Sequence, residues 1–487
     1  MSLNKTILGS TAIISISALA TRSLGLITAP IMTRLLGPAP YGTVALLGTL
    51  VNLGATLALF GRELGYSRFG LQGDAGARRH VETHLWRSVL FSAAVLSIAF
   101  SLIWIFLKQT DDTNDQTLSI YIALGIIFSS ALAMASVRRR LAGQYFRIAA
   151  TSVIASILGI CVSIGWALAI SRDAWALAAG LLTTSVVNFV LLGAPNPLHL
   201  IKPSGLDRQR RMEVLSLGLS SVVTAPIYWV IMSADRWILN SYAGETEVGV
   251  YAFAAQFGLL GALINNGLMA TWLTETNRTF EVHGTAALPS IGTNCTRLMT
   301  GLLVVWMAIS AGGGDALRLL APPPFHRGTI LIPWIGAGVL LYGISSLFVA
   351  SLFIRGRMRF MAIAWIVGGM AGITSYIVLA PRFGALGVAI GQAIAFALIA
   401  LVTWIASLRV LAIPLPYLRL AMGFAAALVC VCALSPQWFV DPMQSLVAKA
   451  PVGTLAAALV VTLISPKPLS FVFTRLVRRP RSIRRDE

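Results

Sequence analysis

Leu35-Leu36-Gly37-Pro38-Ala39-Pro40-Tyr41-Gly42 joins two apolar segments, each long enough to cross a bilayer. Its counterpart, Ala243-Gly244-Glu245-Thr246-Glu247-Val248-Gly249, joins two similar segments later in the chain. Gly37 pairs with Gly244 and Gly42 with Gly249, both at a spacing of 207 residues, while Ala176-Leu177 and Ala385-Leu386 begin matching helix starts at a spacing of 209. Two similar halves of about 200 residues are therefore expected. Six spans per half is an even number, so both halves start on the same side and are related by an axis along the membrane normal.

The rest of the composition agrees with a membrane setting. The chain is 57% hydrophobic and 11% charged with a mean hydropathy of +0.80, whereas soluble domains carry about 25% charged residues. The apolar start runs from Met1 to Leu36 straight into the Gly-Pro turn, too long for a cleavable signal, so the first helix is expected to stay. Fourteen spans are expected, at roughly 6–35, 42–68, 86–107, 118–137, 147–171, 174–193, 213–240, 247–274, 297–313, 329–354, 360–380, 385–408, 417–434 and 450–466. The domain reading is a first six-helix lobe over 1–200, a second over 201–412, an appended helix pair over 413–466 and a basic tail over 467–487. Cys161, Cys295, Cys430 and Cys432 show no pairing or metal spacing and read as small core residues.

A net charge of +19 invites a nucleic-acid reading, but the distribution argues against it. With the N-terminus inside, 27 of the 37 Lys and Arg fall in cytoplasmic segments, seven in outer loops and three within spans. That bias over short loops is the positive-inside pattern, with both ends cytoplasmic. The acidic run Asp111-Asp112-Thr113-Asn114-Asp115 then lies outside. In the tail, Phe471, Phe473, Leu476 and Val477 alternate with Arg475, Arg478 and Arg479. This fits either a short helix on an anionic leaflet or a plain orienting tail.

The three arginines inside spans are Arg22, Arg62 and Arg236. Each costs at least about 2.5–3.5 kcal/mol at a helix centre on the insertion scale. Arg22, near the middle of the first span, shares a face with Thr11, Ser15, Ala18, Gly25 and Ala29, which marks a helix seam or a water-filled cavity. On the second span Thr49, Asn52, Thr56 and Glu63 fall within roughly a 60° arc, with Arg62 beside it. Arg62 can snorkel to the headgroups. Glu63 is either a switchable proton or cation site or half of an ion pair. The seventh span has Ser221, Thr224, Tyr228 and Asp235 on one stripe with Arg236 alongside; the last two serve as an interfacial anchor or in transport. The eighth carries Gln256, Asn265, Asn266 and Trp272, ending at Glu275, and Trp272 reads as an interfacial belt residue. Pro30 and Pro226 would bend their helices.

At these residues the chain resembles the oligosaccharide–lipid flippases of bacterial polysaccharide biosynthesis (the Wzx type). The likeness lies in Leu36-Gly37-Pro38 to Tyr41-Gly42, in Asp235-Arg236-Trp237-Ile238-Leu239 with Gly249-Val250-Tyr251, and more weakly in Phe383-Gly384-Ala385-Leu386-Gly387-Val388-Ala389. These flippases share a superfamily with the MATE drug exporters and lipid II flippases. The resemblance implies an all-α polytopic protein with two six-helix lobes around a central cavity, an extra helix pair, and alternating access. It implies an isoprenoid-pyrophosphate-linked oligosaccharide as substrate and a proton or sodium gradient as the drive, with no cofactor and no catalysis. Arg22, Arg62 and Arg236 would meet the pyrophosphate, since guanidinium binds phosphate bidentately. Glu63 and Asp235 would couple or gate, and Ser15, Asn52, Thr56, Tyr228 and Asn265 would line the cavity. Membrane lipids and the polymerase and chain-length machinery of surface polysaccharide are the implied partners, in a bacterial inner membrane. Met269 stands where the repeat maps Arg62, so the denser cationic cluster of lipid II flippases is not evident. A drug exporter would favour an acidic rather than a basic interior. A membrane glycosyltransferase or polymerase would need a long outer loop, paired carboxylates or a Gly-rich phosphate loop, none of which the sequence contains.

Overall fold

The computed structural model describes residues 17, 20–21, 23–25, 28–70, 75–108, 113–193 and 208–464. Within these residues there are helices and no strands. We number the helices α1 (28–36), α2 (Pro38–Leu59), α3 (Arg62–Phe69), α4 (Ala75–Lys108), α5 (Thr113–Leu141), α6 (Tyr145–Ala169) and α7 (Ala174–Leu192). They continue as α8 (Arg208–Gly258), α9 (Leu260–His283), α10 (Leu288–Leu320), α11 (Ile332–Ile354), α12 (Arg359–Val410), α13 (Tyr417–Leu434) and α14 (Pro442–Ile464).

The repeated turn has the same backbone in both copies. Gly37 sits at φ 73, ψ −177, and Gly244 at φ 77, ψ 176, a region open to glycine and costly for other residues. Pro38 follows at the first helical position, where its missing N–H leaves no hydrogen bond unmade. In the second copy α8 simply resumes its helix after Gly244.

Among the described residues, ten helices are long and apolar enough to cross a membrane. This count takes the stretch Trp272–Leu320 and helix α12 as one span each, and so differs from the fourteen crossings expected. Helix α12 has 52 residues, about 78 Å at 1.5 Å per residue, against a hydrocarbon core of roughly 30 Å. It breaks at Gly384 (φ 54, ψ −133), between the two spans expected there. Most of the first expected span lies outside the described residues, as do Asp111 and Asp112 of the acidic run and the tail from 465 on.

Helix α4 shows what surrounds the protein. Phe91, Val95, Ile98, Leu102 and Phe106 recur every three or four residues and are 73, 50, 64, 61 and 72% exposed. A contiguous stripe of large apolar side chains facing outward fits acyl chains and not water.

Two sequence expectations change here. The second span is not one helix from 42 to 68: it starts at Pro38, stops at Leu59 and restarts as α3 after Phe60 (φ 48) and Gly61 (φ 67). The cysteines are not all core, because Cys295 is buried whereas Cys161 and Cys432 are exposed.

The chain forms two compact units. The first comprises Met1–Phe253, Leu320–Phe325 and Tyr376–Val388; the second comprises Ala254–Leu319, His326–Ser375 and Ala389–Glu487. In the first unit, Val44, Leu47 and Leu50 of α2 pack with Trp104 of α4 and with Ile122 and Ile126 of α5. A second cluster gathers Trp86, Val89, Met134 and Leu192. In the second unit, Cys295, Met299, Leu303, Leu347 and Phe348 share one core with Leu420 and Val431 of α13 and Val460 and Ile464 of α14. The last two helices are therefore an integral part of that unit's packing. Trp272 belongs to the same core, 7% exposed, with its indole N–H donated to the Leu347 carbonyl at 3.0 Å. This overturns the interfacial-belt reading.

Candidate functional site

The polar face expected on α2 divides in two. Thr49 is buried: its hydroxyl accepts from the Trp237 indole at 2.8 Å, and its carbonyl accepts from the Trp229 indole at 2.9 Å. It therefore ties α2 to α8. Asn52 and Thr56 are exposed and linked along the helix, Thr56 Oγ1 donating to the Asn52 carbonyl at 2.8 Å.

Arg62 and Glu63 lie beyond the break, at the start of α3. Helix α2 ends with unpaired carbonyls, as any helix must. The Arg62 guanidinium donates to one of them, Ala58 O, at 2.8 Å, and rests 5.5 Å from the centroid of the Phe60 ring. Arg62 thus closes the end of α2 rather than extending its polar stripe. A guanidinium has five donor hydrogens, so this contact leaves donors able to meet phosphate. Glu63 Oε2 is buried and has no hydrogen-bond partner among the described residues.

Asp235 and Arg236 lie on α8 in the first unit. Asp235 is 2% exposed and accepts from the Tyr251 hydroxyl at 2.7 Å and from the Arg236 backbone N–H at 2.8 Å. Tyr376, fully buried, lies within electrostatic reach of the same carboxylate. Arg236 Nε and Asn240 Oδ1, one turn apart, are both buried without hydrogen-bond partners among the described residues.

Asn265 lies in the second unit. It is 0% exposed and donates Nδ2 to the Val339 carbonyl at 2.8 Å, beside a void of about 10 Å³, room for a single water. Its position is the inside of a helix-packing seam. Arg22 and Ser15 lie outside the described residues, and so does the side chain of Tyr228. Elsewhere in this unit a cavity of about 320 Å³ opens between α9 and α10, bordered by Trp272, Glu275, Thr276, Asn294 and Arg297.

Sequence reasoning missed a buried charge pair. Lys449, read as an outer-loop residue, lies within α14, and its ammonium meets Asp315 Oδ2 of α10 at 2.6 Å. Ser445 Oγ donates to the same oxygen at 3.0 Å. Both charged residues are buried, at 3 and 1% exposure. The available signal was a lone lysine immediately before an expected span start, but its partner is 134 residues away. Also missed was Glu245, which accepts from Thr43 Oγ1 and pairs with Lys108.

Residues 31–269 match a family described as "Polysaccharide biosynthesis protein". Over that region, just under half of its length, the chain is similar to these polysaccharide biosynthesis proteins. The matched region holds both quoted motifs of the first half and of α8, and it ends inside α9. The fold is also that of known membrane transporters. A structure described as lipid II flippase MurJ in an inward-closed conformation superposes with a TM-score of 0.70 at 12% identity, covering 96% of this chain and 100% of that one. An inward-facing multidrug resistance MATE family transporter of the MOP superfamily gives 0.51 at 17% identity, covering 87% and 96%. A Vibrio cholerae MATE transporter variant gives 0.50 at 12% identity, covering 83% and 96%. Identities this low establish a shared fold. No curated protein matches the chain in sequence.

Proposed function

We propose that this chain is a flippase. It carries an isoprenoid-pyrophosphate-linked oligosaccharide from the cytoplasmic to the outer leaflet of a bacterial inner membrane, by alternating access, for assembly of a surface polysaccharide. The observation that carries this reading is the coincidence of two results. The polysaccharide biosynthesis family covers residues 31–269, and the fold over 96% of the chain is that of a protein described as a lipid II flippase. One points to surface sugar polymers and the other to moving a lipid-linked precursor.

The chemistry of the residues supports it. A diphosphate crossing a low-dielectric region needs fixed positive partners, and Arg22, Arg62 and Arg236 are the arginines set within the apolar spans of the first half and of α8. Asp235, bonded by Tyr251, is the best-placed group to bind and release the coupling ion, a proton or sodium; Glu63 is the second. Membrane lipids and the polymerase and chain-length machinery are the expected partners. An exporter of cationic drugs, the reading that the MATE fold likeness would favour, is less consistent with a basic interior.

The test is deletion of the gene, followed by chemical analysis of lipid-linked sugars. The expected result is loss of surface polymer and accumulation of a complete lipid-linked repeat unit facing the cytoplasm. Normal polymer with no accumulated precursor would refute the assignment.

A further inference from the structure

The two repeated turns meet each other. A Cβ built on Gly42 would lie 1.9 Å from the Glu245 carbonyl oxygen, and one built on Gly249 would lie 1.9 Å from the Pro38 carbonyl oxygen. Residues 38 and 245, like 42 and 249, are repeat equivalents at a spacing of 207. The contact is therefore self-complementary: each turn presents a glycine to the other's backbone. Around it Tyr41, Phe253 and Phe325 form a ring cluster, with centroids 5.7, 6.1 and 5.1 Å apart. All these residues belong to the first compact unit, at the end that the charge bias assigns to the outside.

One feature of this junction breaks the symmetry. Where the second repeat has Glu245, the first has Pro38, and both turns have the same glycine conformation without needing a charge. The backbone fold therefore does not explain the carboxylate. What Glu245 does is gather partners from the first repeat: the Thr43 hydroxyl on one oxygen and the Lys108 ammonium on the other. Lys108 is in turn 5.3 Å from the centroid of the Trp104 ring. The Lys108 and Glu245 side chains are 19 and 26% exposed, so water can reach and replace this contact.

We propose that Glu245, with Thr43 and Lys108, is an outer latch of the transport cycle: it holds the two repeat turns together until the outward opening step and is broken in that step. The proposal rests on the alternating-access reading above. Its charge is placed at a junction where uncharged backbone already makes the close contact, which suits a contact that must be made and unmade.

The experiment uses the full-length protein in intact cells, with Asn52→Cys as a reporter in a background lacking the four native cysteines and a membrane-impermeant maleimide added outside. Glu245→Gln is expected to raise the labelling rate at least threefold. Lys108→Glu should do the same, and the charge swap Lys108→Glu with Glu245→Lys should return it toward the parent rate. A Thr43→Cys/Glu245→Cys pair, oxidised to a disulfide, should block labelling until reductant is added. Labelling unchanged in both single variants, or undiminished by the disulfide, overturns the latch. The readout does not involve the sugar, so if deletion leaves surface polymer intact while these rates change as expected, the substrate reading fails and the latch stands.

Discussion

Replacing Lys449 by methionine removes the ammonium that neutralises Asp315 and keeps most of the side-chain volume. In the native protein Asp315 Oδ2 receives Lys449 at 2.6 Å and Ser445 at 3.0 Å, with both charged side chains almost fully buried. The variant leaves the carboxylate with a single hydroxyl donor in an apolar core. Breaking a buried ion pair from one side costs about 3–5 kcal/mol, whereas replacing both partners by apolar residues is often neutral or stabilising. At roughly 2 °C per kcal/mol, Lys449→Met should lower the unfolding midpoint of the purified protein in detergent by about 6–10 °C. The double variant Asp315→Leu/Lys449→Met should recover most of that loss, short of about 1 kcal/mol for the hydrogen bond Ser445 no longer makes. The cycle should thus give a coupling of at least about 2 kcal/mol, within the usual range for contacting residues. A Lys449→Met midpoint within 1 °C of the parent on this ~2 °C per kcal/mol scale, or a double variant no better than the single, would refute the view that this pair fastens α14 to α10.

Gly249→Ala should destabilise the protein by roughly 1–3 kcal/mol, as overpacking does, because the new methyl meets the Pro38 carbonyl oxygen; thermal unfolding measures this, with Gly48→Ala, which meets nothing within 4 Å, as the neutral control. Tyr251→Phe removes the hydroxyl donor to Asp235 and should cost about 1–3 kcal/mol in stability while changing the pH or sodium dependence of transport, so an unchanged ion dependence would assign Asp235 a structural role. Arg22→Ala should abolish surface polysaccharide with protein levels near normal on an immunoblot; full surface polymer would remove Arg22 from the substrate path.

Hydropathy and the charge bias were legible because they are one-dimensional: a bilayer imposes a length on each apolar run and a sign on each loop. The Gly37 and Gly244 turns were legible for a related reason. A positive φ selects glycine residue by residue, so a repeated backbone leaves a repeated letter. The break at Phe60–Gly61 was not legible, since a single glycine is common inside membrane helices and only the fold makes a left-handed Phe60 tolerable. Trp272 has the composition of a belt residue, and only its neighbours show that it is core.

The sequence by itself determined an all-helical membrane protein with a repeated glycine turn and a charge bias between alternate loops, and it singled out three arginines next to or within apolar runs. Only the tertiary structure decided which charges are spoken for. It paired Asp315 with Lys449 across 134 residues, gave Asp235 to Tyr251, and bent Arg62 back onto the end of α2. The reason is physical. Burial follows from the local run of side chains, but the neutralisation of a buried charge depends on whichever distant atom the packed helices bring within about 3 Å.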